Sequence, residues 1–159
     1  MYNLLDCFRY DSFYFSTLRI LDLTSMELDF LTVDNNLTEI GMIYLALMIR
    51  NNNFPVLQEL SLISNNIKDC GLMEIIQLMR LHFLPHLQTL YLSDNHLRDE
   101  SVKELVNVLQ SNCISSAAEL YIGCNLISQE VIQSLVSLLF SPNPKKEAPL
   151  KYVVLEKSK

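Results

Sequence analysis

The sequence predicts an α/β solenoid, with short parallel strands along one side and helices along the other. Three observations carry this prediction. Asparagines stand at Asn35, Asn65, Asn95 and Asn125, each 30 residues after the last. Ahead of the later three lie Leu57-Gln-Glu-Leu60-Ser-Leu62, Leu87-Gln-Thr-Leu90-Tyr-Leu92 and Ala117-Ala-Glu-Leu120-Tyr-Ile122. Behind each asparagine, apolar residues recur at three-to-four spacing. A fixed period of this size builds a stack of like units rather than a globule around one site. The 159 residues are read as a single domain, with units starting near 18, 57, 87, 117 and 150.

The chain opens on a partial helix over residues 3–12. The first unit, Phe15-Ser-Thr-Leu18-Arg-Ile-Leu21-Asp-Leu23, fits the strand template, yet about nine residues too many separate Leu23 from Asn35. Residues 24–32 are read as a loop insertion. A rival register uses Leu28, Leu31 and Val33 as the strand, and the first is preferred because it keeps the usual preceding connector. Met42, Leu45, Ala46, Met48 and Ile49 then form the apolar stripe of a helix.

In the next unit Leu60 and Leu62 alternate with Glu59, Ser61 and Ile63, the two-residue period of a strand with one face buried. The helical stripe follows as Leu72, Ile75, Ile76, Leu78 and Met79. It returns as Val102, Leu105, Val106, Val108 and Leu109, and again as Ile132, Leu135, Val136, Leu138 and Leu139. Glu39, Asp69 and Asp99 fall where helices begin, where a carboxylate can cap free N–H groups and favours the positive end of the dipole. Pro55, Pro85 and Pro149 end the helical path ahead of the next strand. The last strand is Leu150 to Leu155, after a loop lengthened by Ser141-Pro-Asn-Pro-Lys-Lys. Strand, turn, helix and return fit into 30 residues only if the coils stack in register, which makes the strands parallel and puts the helices on the other face.

Composition narrows the function. Half of the residues are apolar and 19% are charged, enough to build a core. With 12 basic against 18 acidic side chains, the formal charge is −6, which argues against nucleic acid or anionic lipid as the partner. The apolar run from Ile40 to Ile49 is too short to span a bilayer. Cys7, Cys70, Cys113 and Cys124 form no Cys-x-x-Cys pair, and the first residues do not resemble a secretory signal. They are expected to be reduced and mostly buried thiols in a cytoplasmic protein.

No catalytic pattern stands out, and no cofactor or metal is expected. The three glycines, Gly41, Gly71 and Gly123, make no phosphate-binding loop. His82, Pro85 and His86 share a connector, so the two histidines do not share a helical face, and adding His96 gives no ligand spacing. Cys113 and Cys124 stand at no spacing that suggests a nucleophile with its base. Asp94, Asp99 and Glu100 fit turn and capping chemistry better than acid–base work.

The pattern Leu-x-x-Leu-x-Leu-x-x-Asn-x-Leu followed by a full helix resembles the leucine-rich repeat family, best over Leu57–Ile67 and Leu87–Leu97. The period and helical convex side are similar to its ribonuclease-inhibitor-like subclass, found in NOD-like receptors, Ran GTPase activators and tropomodulin. The resemblance spans about residues 15–156, with Ala117, Val153 and Ile122 replacing leucines, and Ser101 and Val131 where Gly41 and Gly71 stand. It implies that Asn65, Asn95 and Asn125 form a ladder of side-chain hydrogen bonds to the backbone of adjoining coils. It implies a concave face made of Glu59, Ser61, Ile63, Thr89, Tyr91, Ser93, Glu119, Tyr121, Gly123, Tyr152, Val154 and Glu156. On that face Tyr91 and Tyr121 share a slot in adjacent coils, flanked by Glu59 and Glu119. The row reads either as a contact surface for a protein with a basic or mixed surface, or as tyrosines that pack on one another. The function implied is a non-catalytic interaction module or scaffold. A regulator of a small GTPase and an actin-capping domain are the alternatives. A chain that is part of a longer array, or that stacks end to end on another copy or protein, is the expected context, since terminal repeats need caps.

Overall fold

The computed structural model describes residues 17–24, 39–111, 118–140 and 148–155. Along these run β1 (Ile20–Asp22), α1 (Glu39–Arg50), β2 (Glu59–Ser61), α2 (Lys68–Arg80), β3 (Thr89–Tyr91), α3 (Asp99–Gln110), β4 (Ala118–Tyr121), α4 (Gln129–Ser137) and β5 (Leu150–Val154). The five strands form one parallel sheet in sequence order, and each helix packs on the helix of the next coil. It is an α/β solenoid.

Register explains why alternate residues share a fate. Leu21, Leu60, Leu90, Leu120 and Val153 stand side by side in the five strands and point into the core. Between them, Ile20, Glu59, Thr89, Glu119 and Tyr152 make one outward row, and Asp22, Ser61, Tyr91, Tyr121 and Val154 make another. The pairing slips between Ala118 and Glu119, so Lys151 is the extra residue of a bulge. The helical stripes close the core from the other side: Met42, Leu45, Ala46 and Ile49 on α1, then the full predicted sets on α2 and α3, are buried. The last coil departs from its template. Val136 is exposed and Ile132 only half-buried, because among the described residues no helix follows α4 to cover that flank.

Helix ends come from residues that tolerate a left-handed backbone. Asn52 (φ 59°) and His82 (φ 57°) end α1 and α2, and the next amides, of Asn53 and Phe83, reach back to the carbonyls of Met48 and Leu78 at 3.2 and 2.9 Å. That is the paired hydrogen-bond pattern of a helix stop. His82 is therefore a backbone device. Ser64, Asp94 and Cys124 adopt the same conformation one residue ahead of the three asparagines, turning the chain out of each strand.

Asp69 and Asp99 stand in the first turns of their helices, where the dipole favours them, but they do not cap their own helices as predicted. No side chain at Ile67 or Arg98 caps α2 or α3. Asp69 instead accepts the Arg98 amide at 2.8 Å and the Ser101 hydroxyl at 2.5 Å, and Asp99 accepts the Ser128 amide at 2.7 Å. Asp69 and Asp99 lie inside the first turn, so their carboxylates reach the next coil and not their own N-terminus. Among the described helix starts, Ser128 alone is seen to cap its own helix, accepting from the Val131 amide at 3.5 Å. The expectation of mostly buried thiols also fails at Cys70, which is exposed on the outer side of α2, and Cys124 is half-buried. The partial helix 3–12, most of the 24–32 insertion, the rival strand at Leu28–Val33, Asn35, Cys7, Cys113 and Glu156 lie outside the described residues.

Candidate functional site

The asparagines sit on the edge where strands turn into helices. The Asn65 amide nitrogen donates to the carbonyls of Leu23, Leu62 and Ile63 at 2.9, 3.0 and 3.1 Å. Asn95 repeats this on Leu62, Leu92 and Ser93, and Asn125 on Leu92, Ile122 and Gly123. One bond in each set crosses to the preceding coil, so the amides tie coil to coil through otherwise buried carbonyls. Asn125 adds an acceptor role: its side-chain oxygen takes the amides of Asn95 and Leu97, both at 3.0 Å.

The concave face is built on the two outward rows. Tyr91 and Tyr121 stack with ring centroids 4.5 Å apart and planes 25° from parallel. Tyr152 registers with Glu119, yet its ring still reaches Tyr121, at 6.2 Å and a 53° tilt. The bulge at Lys151 puts it one row aside and so extends the aromatic line diagonally. Tyr152 is 53% exposed, the most open of the three. Glu59 and Glu119 stand half-buried in the adjoining row, and Asp22 begins the tyrosine row itself.

Three predicted face residues are not open, and one of them, Gly123, is buried with no side chain to present. Ser61 and Thr89 are 8% and 7% exposed. Both are short side chains among longer ones, and the Ser61 hydroxyl is held 2.6 Å from that of Thr24. Ile63 and Ser93 are half-buried at the turn end of their coils. Sequence reasoning also missed Asp22 and Thr24: the Asp22 carboxylate accepts both the amide and the hydroxyl of Thr24, at 3.0 and 2.6 Å. The signal was the strand slot shared by Asp22 and Ser61.

Electrostatics on the face have one sign. Across the two rows the charged residues are Asp22, Glu59 and Glu119, and no Lys or Arg stands in either. The Tyr91 hydroxyl titrates above its ordinary value, first because burial disfavours the phenolate, then through the charge of Glu59 and its neighbours. The Asp22 carboxyl lies below its ordinary value because Thr24 donates to it. Among the described residues no three His, Cys, Asp or Glu side chains are grouped as metal ligands would be, and no helix is long and apolar enough to cross a membrane.

A family model described as a leucine-rich repeat matches residues 83–106, from the connector ahead of β3 to the middle of α3. That stretch holds Leu87, Leu90, Leu92, Asn95 and Leu97, the inward residues and ladder asparagine of one coil. The α/β fold, with its parallel strands in one sheet, is that of a leucine-rich repeat solenoid. No curated protein matches the chain. Leucine-rich repeat domains generally mediate protein–protein interaction.

Proposed function

We propose that the chain is a non-catalytic protein-binding module that meets its partner on the concave face, with Tyr91, Tyr121 and Tyr152 as the contact row and Glu59 and Glu119 beside it. The observation that carries this reading is an aromatic line set in outward rows whose charges are all acidic. Tyrosine offers a large, stiff contact area with a polar tip and is enriched at binding hot spots. The complementary partner surface is a protein segment rich in arginine or lysine, whose guanidinium groups can lie on the rings and pair with the glutamates. The full helices of 12 and 13 residues in the coils support the ribonuclease-inhibitor-like subclass. No feature of the face favours a small GTPase or actin over another protein.

The test is an affinity capture from cell lysate with mass spectrometry, comparing the wild-type chain with a folded Tyr91→Ala, Tyr121→Ala, Glu119→Lys variant. A protein held by the first and lost by the second supports the concave face and names the partner. Equal retention by both overturns it.

A further inference from the structure

Register sets five outward residues side by side across the strands: Ile20, Glu59, Thr89, Glu119 and Tyr152. The ends of this row are apolar and open, Ile20 at 55% and Tyr152 at 53% exposed, and the two glutamates stand between them. Thr89 is buried at the centre, so the row presents four anchors in the order apolar, acidic, acidic, apolar. At a strand spacing of about 4.8 Å they lie at roughly 0, 5, 14 and 19 Å along the row. Tyr91 and Tyr121 run beside it, about 7 Å further along their strands.

Two chain forms keep step with these anchors. A helix returns one face at alternate steps of three and four residues, which puts i, i+3, i+10 and i+14 at roughly 0, 4.5, 15 and 21 Å. An extended chain returns a face at roughly 0, 7, 13 and 20 Å. A polyproline helix, at about 9.3 Å per turn, matches Glu59 with Glu119 but misses both ends. Backbone chemistry separates the first two. The backbone groups of the strands pair along the sheet, so an extended chain crossing the face lays its own polar backbone on the rings without partners. A helix arrives with its backbone bonds made, and at about 10 Å across it covers both the row and the tyrosines beside it.

We propose that the concave face takes one amphipathic helix of its partner, laid across the strands, with apolar residues at i and i+14 on Ile20 and Tyr152 and basic residues at i+3 and i+10 on Glu59 and Glu119. The inference rests on the concave-face reading above and gives that partner a form. Charge complementarity selects the basic residues, since no Lys or Arg stands in either outward row. Position i+7 falls over the buried Thr89 and carries no anchor. The flank of the helix lies on the Tyr91–Tyr121 stack, where a guanidinium gains from the ring face.

The probe is a synthetic alanine–glutamine helix of about 18 residues with leucine at i and i+14 and arginine at i+3 and i+10, titrated with the full chain by fluorescence anisotropy. It should bind roughly tenfold or more tighter than a peptide of the same composition whose arginines sit on the far face, at i+5 and i+12. Glu59→Lys with Glu119→Lys, checked as folded by circular dichroism, should erase that difference; Glu59→Gln with Glu119→Gln serves where the lysine variant does not fold. Equal affinity for the two helices, or no binding by either, overturns the inference. An extended peptide with leucine at i and i+6 and arginine at i+2 and i+4 that binds tighter than the patterned helix overturns it too. If the glutamate variant then loses the extended peptide, the concave face stands and only the helical form falls; if the variant keeps it, both fall.

Discussion

The carboxylate of Asp99 holds the backbone amide of Ser128 at 2.7 Å, so the residue that opens one helix anchors the start of the helix in the next coil. Asp69 does the same for Arg98. Each coil is thus fastened on its turn edge in two directions: asparagine amides reach back to the coil before, and aspartates reach forward to the coil after.

This fastening titrates. The Asp99 carboxyl lies below its ordinary value of 3.8, chiefly because the Ser128 amide donates to it. A carboxyl lowered in the folded state contributes stability above its unfolded value and loses it as pH falls through the folded one. Wild type should therefore lose melting temperature on acidification below about pH 4 more steeply than Asp99→Asn, and match its slope above about pH 5. Parallel curves throughout would remove Asp99 from the acid response.

Inward and outward strand residues should separate cleanly. Leu90→Ala or Leu120→Ala should cost roughly 2–5 kcal/mol in urea unfolding, as buried leucines do. Tyr91→Ala should cost only about 0.5–1.5 kcal/mol, the worth of its stack on Tyr121, on top of its small buried area. Similar losses at both would contradict the register in which Leu90 and Tyr91 face opposite sides.

The ladder can be probed at one rung. Asn95→Ala removes one of two donors from each of the carbonyls of Leu62, Leu92 and Ser93, which keep Asn65, Asn125 and the Ser64 amide, and should cost roughly 1–3 kcal/mol for three hydrogen bonds lost together. Asn125→Ala, which also removes an acceptor for two amides, should be at least as damaging. Chemical denaturation of both variants checks the order.

Gly71 is pressed by a neighbouring helix. A Cβ there would come within 2.8 Å of Met42 Cγ on α1 and 2.9 Å of Ile67 Cβ. Alanine would gain about 1 kcal/mol of helix propensity, but overpacking costs about 1–3 kcal/mol. Gly71→Ala should melt a few degrees lower; a higher melt would mean that α1 and α2 shift apart freely.

What could be read from the sequence followed the period. Leu60, Leu90 and Leu120 repeat at 30 residues and lie level in the sheet, and the stripes of α2 and α3 are buried at every predicted slot. Contacts that run between coils were less legible. Asp69 and Asp99 stood at helix starts, and local capping rules assigned them to their own helices, because a bond to residue 98 or 128 leaves no local signature. Ser61 and Thr89 carry outward spacing but are short, so their taller neighbours close over them. The left-handed residues did leave a trace, Asn52 with His82 and Ser64 with Asp94 and Cys124, but the mixed residue types hid it where glycine would have shown it.

The Tyr91–Tyr121 stack also measures shape. Strands in a sheet sit about 4.8 Å apart, while packed helices need about 8–10 Å, and the mismatch bends the array toward its strands. Ring centroids at 4.5 Å match the strand spacing, so the two rings ride on the inner radius of that bend. Any partner that straightens the array must lengthen the inner radius and draw these rings apart. The tyrosines then act as a built-in strain gauge, and their near-ultraviolet circular dichroism should report whether a ligand is clasped by a rigid arch or pries it open.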